Sequence, residues 1–260
     1  MDLVDCITRE KVKPGSVAVW WLGQAGYAYK FGDEVIYLDP YLSDLVKLTR
    51  LVPPPMQPIE INNADIVLVT HDHDDHADNG TLPFIALAST QAVFVGPESS
   101  TKKMLEWGIP EDHVLTIVRG KERTIKGIKV IATNSVHTQD SVGYVIQGNG
   151  VSLYHTGDTL FFLSLKNIGD TFDLDCAFLP INGKWGNFGM SEALIVADML
   201  HPKVVVPMHY GMFKENTVDP RPFVDASRKK FPKMKVALIR HGGKFIYTAD
   251  QKSAIHRKNP

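Results

Sequence analysis

Apolar residues along this chain gather into short runs rather than long periodic stretches, which is the pattern of a strand-rich protein. Val17 to Leu22, Tyr27 to Phe31, Val35 to Leu38, Ile66 to Val69, Val93 to Gly96, Val114 to Val118 and Thr124 to Thr133 make the first half mostly strand. Gly143 to Gln147, Ser152 to Tyr154, Leu174 to Leu179, Lys203 to Pro207, Val236 to Arg240 and Lys244 to Tyr247 continue the pattern. Ile66-Val67-Leu68-Val69 and Val204-Val205-Val206 do not alternate, as expected for strands covered on both faces. Helical spacing is confined to Leu82 to Ala88, Thr101 to Trp107, Glu192 to Leu200 with Ser191 as the expected N-cap, and the stretch after Pro220. Leu51 to Asn63 holds Pro53, Pro54, Pro55 and Pro58 and reads as a loop, because proline has no amide to donate. Helices and strands interleave, which predicts two packed β-sheets with helices outside. No linker or repeat divides the chain, so residues 1–260 are read as one domain.

Composition narrows the function. With 260 residues, 44% of them hydrophobic and 22% charged, the chain can bury a large core without covalent staples. Lys and Arg (28) nearly balance Asp and Glu (29), so there is no global basic field for nucleic acid or an anionic membrane, and neither is an expected partner. The expected partner is a small-molecule substrate, with self-association into a homo-oligomer left open. Two cysteines, Cys6 and Cys176, cannot form a thiolate zinc site, so any metal must be held by nitrogen and oxygen. Met1 to Gly15 lacks the apolar core of a signal peptide and no run is long enough to span a bilayer, which makes cytoplasm the expected location.

One segment carries most of the chemistry. Directly after Ile66 to Val69 comes Thr70-His71-Asp72-His73-Asp74-Asp75-His76, three imidazoles and three carboxylates in succession. Residues two apart in extended backbone point the same way, so His71 and His73 can grip one cation while the turn that follows aims Asp75 and His76 at a second. Further donors stand at other strand ends: His137 after Lys129 to Thr133, Asp158 after Val151 to Tyr154, and His209 after Val204 to Met208. Chemistry in α/β architectures gathers at the carboxyl ends of strands.

With those residues in that order, the sequence resembles the metallo-β-lactamase superfamily. The resemblance implies an αββα sandwich with two metal ions at one edge of its sheets. It implies His71, His73 and His137 on the first ion, Asp75, His76 and His209 on the second, and Asp158 bridging them. Asp39, in Leu38-Asp39-Pro40, resembles the acidic residue that orients a ligand histidine in this superfamily, although a turn-capping role fits it equally. The segments Pro14 to Val17, Trp20 to Gly23, Leu153 to Asp158 and His241 to Phe245 resemble the ascorbate-6-phosphate lactonase branch, whose members open a sugar-derived lactone ring. Leu160 and Tyr210 stand where polar residues or histidine are expected there, and the segment 182–190 differs from that branch.

These residues predict a metal-dependent hydrolase. Two divalent cations can share a water and lower its pKa toward neutrality, and Asp75 is the natural group to orient it and take its proton. Imidazole and carboxylate donors suit zinc, manganese or iron alike. The resemblance favours manganese. For the substrate the candidates are Lys184 and Trp185, in a loop flanked by Gly183 and Gly186, together with Tyr210 and Gln24. The expected activity is a lactonase. The alternatives are a phosphodiesterase or nuclease, for which Lys229, Lys230, Lys233 and Lys235 form the one notable basic cluster, and a non-hydrolytic metal-binding protein.

Overall fold

The structure, a computed structural model, describes residues 2–249. It opens on a short helix, α1 (Leu3–Arg9), capped by the Asp2 carboxylate, which accepts from the Asp5 amide at 2.7 Å. The first sheet contains β1 (Ser16–Gly23), β2 (Gly26–Phe31), β3 (Glu34–Leu38), β4 (Ile66–Leu68), β5 (Val93–Gly96) and β6 (Val114–Thr116) in sequence order, with the last strand, β14 (Lys244–Thr248), added beside β1. The first strands pair antiparallel, and β3 to β6 run parallel. The second sheet runs in the order β13-β12-β11-β10-β9-β8-β7. Its strands are β7 (Glu122–Ile125), β8 (Ile128–Asn134), β9 (Val142–Gly148), β10 (Val151–His155), β11 (Cys176–Pro180), β12 (Val204–Met208) and β13 (Lys235–Val236), with β10 to β13 parallel.

Strand periodicity explains the layering. Along β1, Val17, Val19 and Trp21 face the second sheet, while Ala18, Trp20 and Leu22 face outward. The outward set packs on Val4 and Ile7 of α1, Leu82 and Ile85 of α2 (Leu82–Ala88) and Met104 of α3 (Glu98–Glu106). Two more helices, α5 (Met190–Leu200) and α6 (Arg221–Lys230), give Ala193, Val196, Leu200 and Phe223 to the cluster that includes the second sheet, and the short α4 (Lys166–Thr171) packs on α5. The result is the expected αββα sandwich. Between the sheets lie Tyr27, Tyr29, Tyr144 and Phe178, all fully buried.

Three expectations are corrected and one element is added. Thr124 to Thr133 is a hairpin rather than one strand: Lys126 and Gly127 both take positive φ (47° and 79°), the conformation of a tight two-residue turn. Val236 to Arg240 is strand only at its start, where Lys235 and Val236 pair with β12. Helix α5 starts before Ser191, because the Glu192 carboxylate reaches back to the Gly189 amide at 3.0 Å and Gly189 is the N-cap. The chain's start, to which the sequence pattern assigned no element, folds into α1. Its C-terminal carbonyls, at Ile7 and Thr8, accept from the buried Lys30 ammonium at 3.1 and 2.6 Å, a partner no local pattern announces.

Candidate metal centre

Every expected site residue except those of the 184–185 loop sits just beyond the carboxyl end of a strand. Asp39 follows β3, His71 to His76 follow β4, His137 follows β8, Asp158 follows β10, and His209 follows β12. The two sheets bring these ends to one edge. Gln24, Asp39 and His209 have positive φ (48°, 44° and 64°), which turns the chain sharply as each strand ends. After His71 the chain closes a tight turn, with the amides of His76 and Ala77 donating to the His73 carbonyl at 2.9 and 2.8 Å.

The donors form two adjoining groups. In the first, the His71 Nε2 and His137 Nε2 atoms lie 3.0 and 3.1 Å from His73 Nδ1. In the second, Asp158 Oδ1 stands 2.6 Å from His209 Nε2 and 3.5 Å from His76 Nε2, and Asp75 Oδ2 approaches His76 Nε2 at 3.9 Å. The other Asp158 oxygen, Oδ2, reaches toward the first group, 3.8 Å from His137 Nε2. One carboxylate thus spans both.

Contacts behind the rings decide which nitrogens are bare. The Thr70 hydroxyl gives its proton to Asp39 Oδ2 (2.6 Å), so it can only accept from His71 Nδ1 at 3.0 Å, and the His71 proton belongs on Nδ1. The carbonyl of Gly186 faces His137 Nδ1 at 3.1 Å and fixes that ring the same way. Burial pushes both imidazoles down, His71 well below the usual histidine range, so each presents a neutral Nε2 lone pair. His76 turns Nδ1 to Asp39 Oδ2 at 2.7 Å and aims Nε2 at Asp158. Burial would lower His76 as well, but Asp39, Asp158 and Asp75 outweigh it and raise that ring well above the usual range, so its Nε2 becomes a bare donor only by giving up a proton when a cation binds. Burial would raise Asp158, yet attraction to His209 and His76 holds it well below the ordinary carboxylate range.

These residues fit a divalent cation. His76 Nε2, Asp158 Oδ1 and His209 Nε2 are buried and make no hydrogen bond, although they converge. The short His209–Asp158 approach lies off the line of a hydrogen bond. Buried polar atoms left in this state are costly unless something else satisfies them, and nitrogen and oxygen lone pairs aimed at common points are the donor arrangement of a cation site. Two sets satisfy the spacing for one ion each: His71, His73 and His137, and His71, His76 and Asp158.

The remaining candidates divide. Asp39 is fully buried, with Oδ1 accepting from the Thr70 amide at 2.8 Å and Oδ2 facing His76, so it braces the centre rather than merely capping a turn. Tyr210 lies against Trp21, ring centroids 4.7 Å apart, and is 8% exposed, which makes it a packing residue beside His209. Gln24 is fully buried, its amide 3.3 Å from His209 Nδ1. Trp185 is 56% exposed at the rim, one residue from the Gly186 carbonyl that holds His137. Lys184 is exposed, its ammonium on the Glu215 carbonyl at 3.2 Å. His155, which carried no expected ligand role, is spent on backbone: Nε2 meets the Ala25 carbonyl at 2.9 Å and Nδ1 accepts from the Gly157 amide at 3.0 Å. Sequence reasoning missed Thr70 and Asn187, whose amide donates to Asp158 Oδ2 at 2.9 Å. Thr70 adjoins the histidine cluster and was open to suspicion, whereas nothing local marks Asn187.

Residues 18–209 match the family described as the beta-lactamase superfamily domain. A metal-dependent hydrolase of Pyrobaculum islandicum is 34% identical over 85% of this chain and 96% of its own length, and one of Sulfurisphaera tokodaii is 30% identical over 81% and 91%. In fold the chain is similar to a metallo hydrolase of Ignicoccus hospitalis, with a TM-score of 0.74, 23% identity and coverage of 90% of this chain and 100% of that one. The chain belongs to the metallo-β-lactamase superfamily. Among the described residues no helix is long and apolar enough to cross a membrane.

Proposed function

We propose that the protein is a binuclear metal-dependent hydrolase that opens a small lactone, on a sugar-derived and in some cases phosphorylated substrate. The observation that carries the hydrolase reading is the convergence of His76 Nε2, Asp158 Oδ1 and His209 Nε2, buried and without hydrogen bonds, beside the trio His71, His73 and His137. The relatives named metal-dependent hydrolases support it. His71, His73 and His137 would hold one cation and Asp75, His76 and His209 the other, with Asp158 between them. Zinc, manganese and iron all suit these donors, and the lactonase resemblance favours manganese. Two such cations would lower the pKa of a shared water and polarise a carbonyl oxygen.

The protein's own groups do the rest. Asp75, with its side chain 21% exposed, is the one carboxylate of the centre open enough to take a proton from an attacking water at Oδ2 and pass it to solvent. Asp39 keeps the His76 ring in register, and Asn187 holds Asp158 by the oxygen that faces His137. A cleft of about 600 Å³ opens beside His73, bordered by Glu98, Ser99, Lys102 and Asp140, room enough for a single sugar-derived ring. Val136, Leu160 and Trp185 expose apolar side chains next in sequence to His137, close to Asp158 and beside Gly186, and would offer contact to the non-polar face of such a ring. Lys184 and Trp185 are the residues proposed to contact it there.

Carboxylate release from a panel of lactones by the zinc- or manganese-loaded protein tests the reading. The expected result is turnover that requires the cation and is lost in Asp75→Ala. Hydrolysis of a phosphodiester with every lactone untouched would replace it with the nuclease alternative.

A further inference from the structure

The four rings His71, His76, His137 and His209 meet at the centre, and three of them have an acceptor behind Nδ1: the Thr70 hydroxyl, the Asp39 carboxylate and the Gly186 carbonyl. Behind His209 stands Gln24. Its side-chain amide is wholly buried, has the nitrogen 3.3 Å from His209 Nδ1, and leaves the oxygen without a hydrogen bond. In that orientation Gln24 donates to Nδ1, which forces the ring proton onto Nε2, where it points toward Asp158 Oδ1 without making a hydrogen bond. The two ends of a glutamine amide have the same shape, so a half-turn about its last bond exchanges them at no steric cost.

We propose that Gln24 is the positioning residue of His209: its amide oxygen accepts the Nδ1 proton, so that Nε2 is bare and turned toward Asp158. The backbone at Gln24 serves the same end. The Gln24 carbonyl accepts from the His209 amide at 3.2 Å and from the Trp21 indole at 3.0 Å, so main chain and side chain of one residue hold the histidine from two directions. Gln24 and His209 also share the left-handed backbone conformation (φ 48° and 64°), which a non-glycine residue keeps only where its surroundings impose it. Gln24 therefore acts behind the centre, in the part Asp39 takes for His76, rather than on a substrate.

This inference rests on the cation reading above. Its test uses the full chain, Gln24→Leu to remove the acceptor at similar volume, and Gln24→Glu to keep an acceptor at that place. Zinc affinity is measured by competition with a chromophoric chelator, and the melting temperature of the chelated protein reports folding. Gln24→Leu is expected to weaken zinc binding about 10–100-fold, as loss of a partner behind a ligand histidine does elsewhere, and Gln24→Glu to restore most of it. In a His209→Ala background Gln24→Leu should change nothing further. Nitrogen-15 spectra of the zinc-loaded wild type should show the His209 proton on Nδ1, and this measurement decides the matter even where Gln24→Leu fails to fold. Unchanged zinc affinity in Gln24→Leu, or a His209 proton on Nε2, overturns the inference. Wild-type protein that binds no divalent cation would instead defeat the reading it rests on.

Discussion

Replacing Asp39 with asparagine keeps the shape of the side chain and changes one atom's role. The Asp39 carboxylate accepts from the Thr70 amide (2.8 Å) and hydroxyl (2.6 Å) and faces His76 Nδ1 at 2.7 Å, all wholly buried. Asparagine retains the first of these through its oxygen, and its amide nitrogen replaces Oδ2. The Thr70 hydroxyl can reverse and accept, but His76 Nδ1 must also become an acceptor, which moves its proton to Nε2 and turns a donor toward the Asp158 side. The cation site then loses one lone pair. Losing one hydrogen bond to a charged group costs about 1.5–3 kcal/mol of stability. At this chain length that corresponds to a melting-temperature fall of roughly 3–12 °C in the chelated protein. Zinc affinity should drop about 10–100-fold, or ~1.4–2.7 kcal/mol. Calorimetric titration with zinc measures the second quantity and thermal melting the first. If Asp39→Asn binds zinc as the wild type does, the assignment of His76 Nε2 as a bare nitrogen held by Asp39 is wrong.

Four further outcomes are expected. Gly186→Ala places a Cβ 2.6 Å from His137 Nδ1 at a backbone φ of 83°, so metal content by elemental analysis should fall toward one ion per chain, with His137 displaced; full occupancy would contradict this. Gly169→Ala drives a Cβ into the Met199 carbonyl where α4 meets α5, which should cost about 1–3 kcal/mol in denaturant unfolding while leaving zinc affinity as it was. Burial lowers His155 to about 4 from 6.5, so the unfolded chain binds this proton more readily than the folded one. That stability is complete above the unfolded value and declines as pH falls from about 6.5 to 4, by about 3 kcal/mol in all, and the chelated His155→Asn variant should lose that part of the slope in unfolding midpoints against pH. Removing the cation with a chelator should lower the melting temperature, and zinc at a hundredfold excess over its dissociation constant should restore about 2.7 kcal/mol.

The apolar runs made most strands legible, because a strand covered on both faces leaves a mark no loop carries, and Ile66 to Val69 and Val204 to Val206 show it clearly. Residues of the centre were visible for a related reason: polar groups such as His71, Asp158 and His209 immediately after buried strands have few structural uses. What escaped was whatever depends on tertiary partners. α1 is a single short segment whose order comes from Lys30, more than twenty residues on, and from packing on β1 and β3. The turn at Lys126-Gly127 was hidden inside a continuous β-favouring stretch. Two supports of the centre, the Gly186 carbonyl behind His137 and Gln24 behind His209, are set by approach between segments 49 and 185 residues apart.

His71, His73, Asp75 and His76 leave the first sheet, while His137, Asp158 and His209 leave the second. Neither half of the sandwich can therefore chelate on its own in the arrangement described, and an ion caught between them would act as a clasp across the seam. During synthesis His209, the last of the proposed donors, emerges only after β12, so a site that used all seven would be completed late, after the halves have docked. A nascent chain stalled before residue 204 would carry the histidine-rich hexapeptide, His137 and Asp158, yet lack His209.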